Sequence, residues 1–127
     1  MGVLKEPTIL VIEDDDRVRT LLRDILVFGG YRVVEAADGR SGMRYLQEGD
    51  LIDLVLTDLV MPEMGGREMA DRLRRERVGV RVLYMSGYPE DRTTDHADLA
   101  MSPNYLRKPF ALQDLLRKVR ETLDATV

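Results

Sequence analysis

Apolar positions along this chain alternate between two spacings. Ile9-Leu10-Val11-Ile12 and Leu54-Val55-Leu56-Thr57 are nearly continuous apolar runs, the pattern of strands covered on both faces of a parallel sheet. After the first run, Val18, Leu21, Leu22, Ile25 and Leu26 recur at helical spacing and predict a helix facing a core. Gly29-Gly30 supplies its glycine end. Residues 31–36 predict a short strand, less apolar and therefore nearer an edge. Asp38-Gly39 turns the chain into a short helix holding Met43 and Leu46, closed by Gly49-Asp50, and residues 51–57 give the second buried strand. Residues 61–66 are a loop by their Pro and Gly content, followed by a helix with Met69, Ala70 and Leu73 inward. A fourth strand is predicted over 80–85 and a brief fifth over 104–107. Between them, residues 90–104 contain Thr93, Thr94, three aspartates and Pro103, so any helix there should be short and marginal. Leu112, Leu115, Leu116, Val119 and Leu123 form the last amphipathic stripe. Five strands alternating with five helices imply parallel strands, right-handed crossovers and helices on both faces of an α/β sheet.

Both buried runs end in carboxylates. The first leads into Glu13-Asp14-Asp15-Asp16 and the second into Asp58. In an open parallel sheet the C-terminal strand ends share one edge, where such sheets place ligands. Carboxylates gathered there repel one another unless a cation lies among them. Hard oxygen ligands of this kind suit Mg²⁺, which takes a few carboxylates, keeps waters and meets a phosphate.

Composition narrows the class. The 127 residues suit one domain, and 44% hydrophobic with 33% charged residues describe a globular protein. A formal charge of −4 and a pI near 5.0 argue against direct nucleic-acid binding. No apolar stretch approaches the ~18 residues of a membrane span. Residues 1–7 lack the pattern of a secretory signal, so a cytoplasmic location is expected. The chain has no cysteine and one histidine, His96, which excludes a thiolate nucleophile, a Cys-based zinc site and a His-rich metal centre within it. His96 sits in a polar stretch and reads as a surface residue.

Four features converge on the C-terminal edge: Glu13-Asp14 after strand one, Asp58 after strand three, Ser86 after strand four and Lys108 after strand five. With their surroundings, Leu10-Val11-Ile12-Glu13-Asp14, Asp58-Leu59-Val60-Met61-Pro62-Glu63-Met64-Gly65-Gly66, Ser86-Gly87 and Tyr105-Leu106-Arg107-Lys108-Pro109-Phe110, the chain resembles the receiver domain of two-component response regulators. The resemblance covers residues 7–124, with 1–6 expected to be a disordered or tag-like start and 125–127 a tail. Around residues 83–88 and 106–110 the wording is most similar to receivers of hybrid sensor histidine kinases. The fold implied is flavodoxin-like: a doubly wound (βα)5 domain whose five-stranded parallel sheet has the order 2-1-3-4-5.

The resemblance also implies roles. Asp58 would accept a phosphoryl group from a phosphohistidine on a histidine kinase or histidine phosphotransfer domain. Glu13, Asp14, Asp58 and the backbone carbonyl of Val60 would hold Mg²⁺ or Mn²⁺. Lys108 would pair with a phosphoryl oxygen, Ser86 would donate its hydroxyl to another, and Tyr105 would turn inward as Ser86 is drawn over. A cis Lys108–Pro109 peptide is expected. Val60 and Tyr88 would flank the water that hydrolyses the acyl phosphate. Val60 cannot orient that water and Tyr88 obstructs it, so slow loss of the phosphoryl group is expected. Asp15 and Asp16 have no matched role; one of them should cap the first helix.

The domain would catalyse only its own modification and would not be an enzyme acting on small molecules. A Mg²⁺-dependent phosphohydrolase with an aspartyl nucleophile is the rival, but such enzymes commonly carry a second Asp where Val60 stands. A phosphate-independent interaction module is a third reading, disfavoured by Asp58, Ser86 and Lys108 together. The expected assembly is a monomer or weak dimer. The receiver either signals by docking alone or is cut from a larger protein.

Overall fold

The computed structural model describes residues 6–48, 51–59, 64, 66–76, 80–86 and 105–124. Expectations for Gly49-Asp50, the loop residues 61–63, the segment 90–104 and both chain ends (1–5, 125–127) lie outside the described residues. Among those described, the elements run β1 (Thr8–Ile12), α1 (Asp16–Phe28), β2 (Arg32–Ala36), α2 (Gly39–Gln47), β3 (Leu54–Asp58), α3 (Gly66–Arg75), β4 (Arg81–Ser86), β5 (Tyr105–Arg107) and α4 (Leu112–Asp124). The five strands are parallel in the order β2-β1-β3-β4-β5. The expected sheet order is therefore observed, with the less apolar β2 at an edge.

Side chains alternate across a strand, so each central strand feeds two cores. Ile9 and Val11 of β1, Leu54 and Leu56 of β3, and Leu83 and Met85 of β4 pack with Leu22 and Leu26 of α1 and Leu115 and Val119 of α4. On the opposite face, Leu10, Ile12 and Val55 pack with Met43 and Leu46 of α2 and Met69 and Leu73 of α3. Full burial of β1 from Ile9 to Ile12 explains why that run carries no polar residue. No helix among the described residues is long and apolar enough to cross a membrane.

The helix ends follow local chemistry. Asp15 caps α1, its carboxylate accepting from the N–H groups of Arg17 and Val18. Asp38 caps α2 by accepting from the Ser41 N–H, and that bond holds its pKa below the usual carboxylate value. At the far end of α1, Gly30 has φ +95°, a backbone conformation that favours glycine.

Three expectations are corrected. Leu21, placed on the buried stripe of α1, is 59% exposed. At 3.6 residues per turn it lies about 90° from the centre of the Val18, Leu22, Ile25 and Leu26 face, beyond the reach of the sheet. Leu112 begins α4 but is 41% exposed, because the helix meets the core only from Leu115 onward. The third strand starts at Leu54 rather than Leu51, which is exposed. Asp53 ends the approach by accepting from the Thr8 N–H with its carboxylate and donating its own N–H to the Thr8 carbonyl, both at 2.8 Å. The Ala70 side chain lies outside those described. Thr122, not foreseen as a core residue, is buried in α4 with its hydroxyl donating to the Lys118 carbonyl at 2.7 Å.

Candidate functional site

Strand register brings the polar residues to one edge. Ile12 aligns with Ala36 and Thr57, Asp58 with Met85, and Ser86 with Arg107. Glu13, Asp58, Ser86 and Lys108 therefore all stand at the C-terminal ends of their strands. The two strands that precede the acids are the most deeply buried, and that burial fixes where the carboxylates emerge.

Glu13 is held from four directions. Its N–H donates to the Ala36 carbonyl at 3.1 Å, and its carbonyl accepts from an Arg19 guanidinium nitrogen at 2.9 Å. One carboxylate oxygen accepts from the Asp15 N–H at 3.1 Å and the other from Lys108 Nζ at 3.0 Å. Glu13 is only 2% exposed. Burial pushes its carboxyl above the usual carboxylate pKa, and the bonds from Asp15 and Lys108 only partly offset it.

Asp58 ends β3 and is 8% exposed. Its Oδ2 accepts from Lys108 Nζ at 2.7 Å, so one ammonium bridges two carboxylates from different strands. Burial by itself would lower the Lys108 pKa. The hydrogen bond and charge of Asp58, then those of Glu13, outweigh it and raise the value. Lys108 is placed by β5: its N–H donates to the Ser86 carbonyl at 2.8 Å, and the Lys108–Pro109 peptide is cis, as expected. Burying ions costs several kcal/mol each, so such a triad is weak evidence of stability. It is better evidence of a site where charge is handled.

Ser86 differs from these. It is fully buried, and its Oγ has no hydrogen-bond partner among the described residues. Leaving a buried hydroxyl unsatisfied costs roughly 1–3 kcal/mol. Tyr105 aligns with Tyr84 and packs, half-buried, against Leu59 and Tyr84. Asp14 is exposed beside Glu13. Among the described residues no three acidic, histidine or cysteine side chains already form a metal cluster. Glu13 and Asp58 are joined instead by an ammonium. Val60, Tyr88 and His96 lie outside the described residues. Arg19 was not foreseen, since an arginine on a helix gives no sign that it will reach back six residues to a carbonyl.

Chemically, the arrangement offers a buried carboxylate beside a cation, further hard oxygens at the rim, and one strand away a hydroxyl that has no partner among the described residues.

Comparison with known proteins agrees with this geometry. The response regulator receiver domain family matches residues 9–120. The chain is 36% identical over 118 residues to sensor kinase CckA of Brucella abortus (strain 2308), covering 92% of this chain and 12% of that protein. It is 34% identical over 117 residues to the response regulator receiver protein CpdR of the same organism, covering 92% of this chain and 97% of that one. The crystal structure of the receiver domain from hybrid histidine kinase CckA superposes with a TM-score of 0.72 at 27% identity, over 92% of this chain and 99% of that one. The chain spans nearly all of one curated relative and a small part of the other. By its sequence and its flavodoxin-like sheet, it belongs to the receiver domain family of two-component systems.

Proposed function

We propose that this receiver takes a phosphoryl group from a phosphohistidine, on a histidine kinase or a histidine phosphotransfer domain, and stores it on Asp58. The observation that carries this reading is Lys108 Nζ standing between Asp58 and Glu13 at strand ends. An Asp58 oxygen attacks phosphorus, and the bond from phosphorus to the imidazole nitrogen breaks as the new P–O bond forms. The electron pair stays on the ring nitrogen, which takes up a proton as the partner's histidine leaves. Lys108 then faces a phosphoryl oxygen, and the Ser86 hydroxyl, without a partner among the described residues, acquires an acceptor. Tyr105 follows Ser86, biasing the face made by β4, residues 90–104, β5 and α4.

Glu13, Asp14 and Asp58, with the Val60 carbonyl, would hold Mg²⁺ or Mn²⁺, which supplies positive charge against the transferring phosphoryl group. Hard carboxylates that already share one ammonium match that cation's donor preference. The domain modifies only itself and works in the cytoplasm.

Intact-mass measurement after incubation with acetyl phosphate and Mg²⁺ should show one base-labile phosphoryl group. Asp58→Asn, or EDTA, should abolish it. Labelling that persists in the Asn variant overturns the acceptor, and labelling that persists in EDTA overturns the cation requirement.

A further inference from the structure

Arg19 stands in the second turn of α1 with its side chain only 17% exposed, whereas Arg17 nearby is exposed. One arm of its guanidinium donates to the Glu13 carbonyl at 2.9 Å, and the other contacts Asp16 Oδ1 at 2.6 Å. Its Nε lies 3.5 Å from Oε1 of Glu35 on β2, a carboxylate that Arg23 also approaches at 3.4 Å. Acidic groups on two sides thus aim the guanidinium, and its remaining arm is presented to one peptide.

That peptide joins Glu13 to Asp14. It is planar, so fixing its oxygen fixes the plane from which Asp14 departs. The preceding peptide is tied as well, by the Glu13 N–H to the Ala36 carbonyl. We infer that Arg19 is a positioning residue of the cation site: by gripping the Glu13 carbonyl, it fixes the peptide plane from which the exposed Asp14 carboxylate extends. This rests on the reading that Asp14 and its neighbours hold a divalent cation.

Charge and geometry pull in opposite directions here. A guanidinium beside an acidic turn repels a divalent cation, so on charge alone its removal strengthens cation binding. A positioning role predicts the reverse, because Asp14 loses its fixed origin. The sign of the change separates the two.

Mn²⁺ is the probe, titrated calorimetrically into the unphosphorylated full chain. Arg19→Ala should weaken binding roughly tenfold, the usual size of an outer-shell effect on metal affinity. Arg19→Lys, which keeps the charge and a shorter donor, should fall between Arg19→Ala and wild type. Glu35→Gln loosens the tie between α1 and β2 but leaves the carbonyl bond, so it should stay within about twofold of wild type. Affinity unchanged or tighter in Arg19→Ala overturns the inference, as does a Glu35→Gln loss equal to that of Arg19→Ala. If Arg19→Ala does not fold, Arg19→Lys decides: weaker than Glu35→Gln supports the inference, and no weaker than Glu35→Gln overturns it. A wild-type chain that binds no Mn²⁺ overturns the cation reading and this inference with it. Wild-type binding that Asp14→Asn abolishes but Arg19→Ala leaves unmoved overturns this inference alone.

Discussion

Glu13 and Ser86 flank β3 at the same edge and are buried alike, yet the chain treats them in opposite ways. Every polar group of Glu13 has a partner: a strand carbonyl, a turn N–H, a lysine and an arginine. The Ser86 hydroxyl has none among the described residues, although its backbone carbonyl holds Lys108 in place. A satisfied buried group fixes its surroundings, and changing its partners costs free energy. An unsatisfied one raises the energy of the resting state and gains when an acceptor arrives. The Glu13 side is built to stay, and the Ser86 side is built to respond.

The comparison breaks most sharply at Lys108. Lys108→Ala should lose about 2–3 kcal/mol in urea unfolding without divalent cation, since two buried carboxylates are left facing each other. The figure is below the full cost of breaking a buried pair because the lysine is a quarter exposed. Added Mg²⁺ should restore part of the loss; no restoration would mean that a metal cannot replace the ammonium there. Next in size is a change beneath Glu13 that touches no polar group. A Cβ on Gly42 of α2 would collide with Cδ1 of Ile12, the residue before Glu13. Gly42→Ala should cost about 1–2 kcal/mol, as overpacking exceeds the ~1 kcal/mol gained in helix propensity. A neutral result would show that Ile12 can yield and that the Glu13 side is less rigid than its hydrogen bonds imply. The smallest effect belongs to Ser86→Ala, expected between no change and a gain of about 1 kcal/mol, because the hydroxyl removed has no partner among the described residues. A loss in the same melts would reveal a partner for the hydroxyl and erase the contrast.

Much of the sheet was legible because burial on both faces leaves a plain record: Ile9 to Ile12 and Leu54 to Leu56 admit no polar residue. The helices were legible as stripes but not in width. Leu21 and Leu112 fit the period yet fall outside the contact with the sheet, and periodicity alone does not say how far the sheet extends. Strand starts depend on partners distant in sequence, as with Asp53 and Thr8, so Leu51 was misplaced. Of the site, strand order and resemblance brought together Asp58 and Lys108, 50 positions apart in the chain. The grip of Arg19 on a carbonyl, and a Ser86 hydroxyl without a partner among the described residues, are properties of packing, and no residue pattern announces them. The acids after β1 left the choice of helix cap open; the structure assigns it to Asp15.

Among the described residues β5 is the outer strand on its side of the sheet, three residues long and paired on one flank to β4. Short edge strands open locally at lower free energy than central ones. Lys108 follows directly on this strand, so each opening withdraws the ammonium from Asp58 and Glu13. Anything that grips Lys108 only in the closed arrangement must therefore slow amide exchange at Lys108, whose N–H donates to the Ser86 carbonyl, and at Leu106, two residues back on the same flank. Reciprocally, loosening that rim weakens the grip by the same factor. The protection of two amides at the margin of the sheet is a measure of how firmly charge is held at its centre.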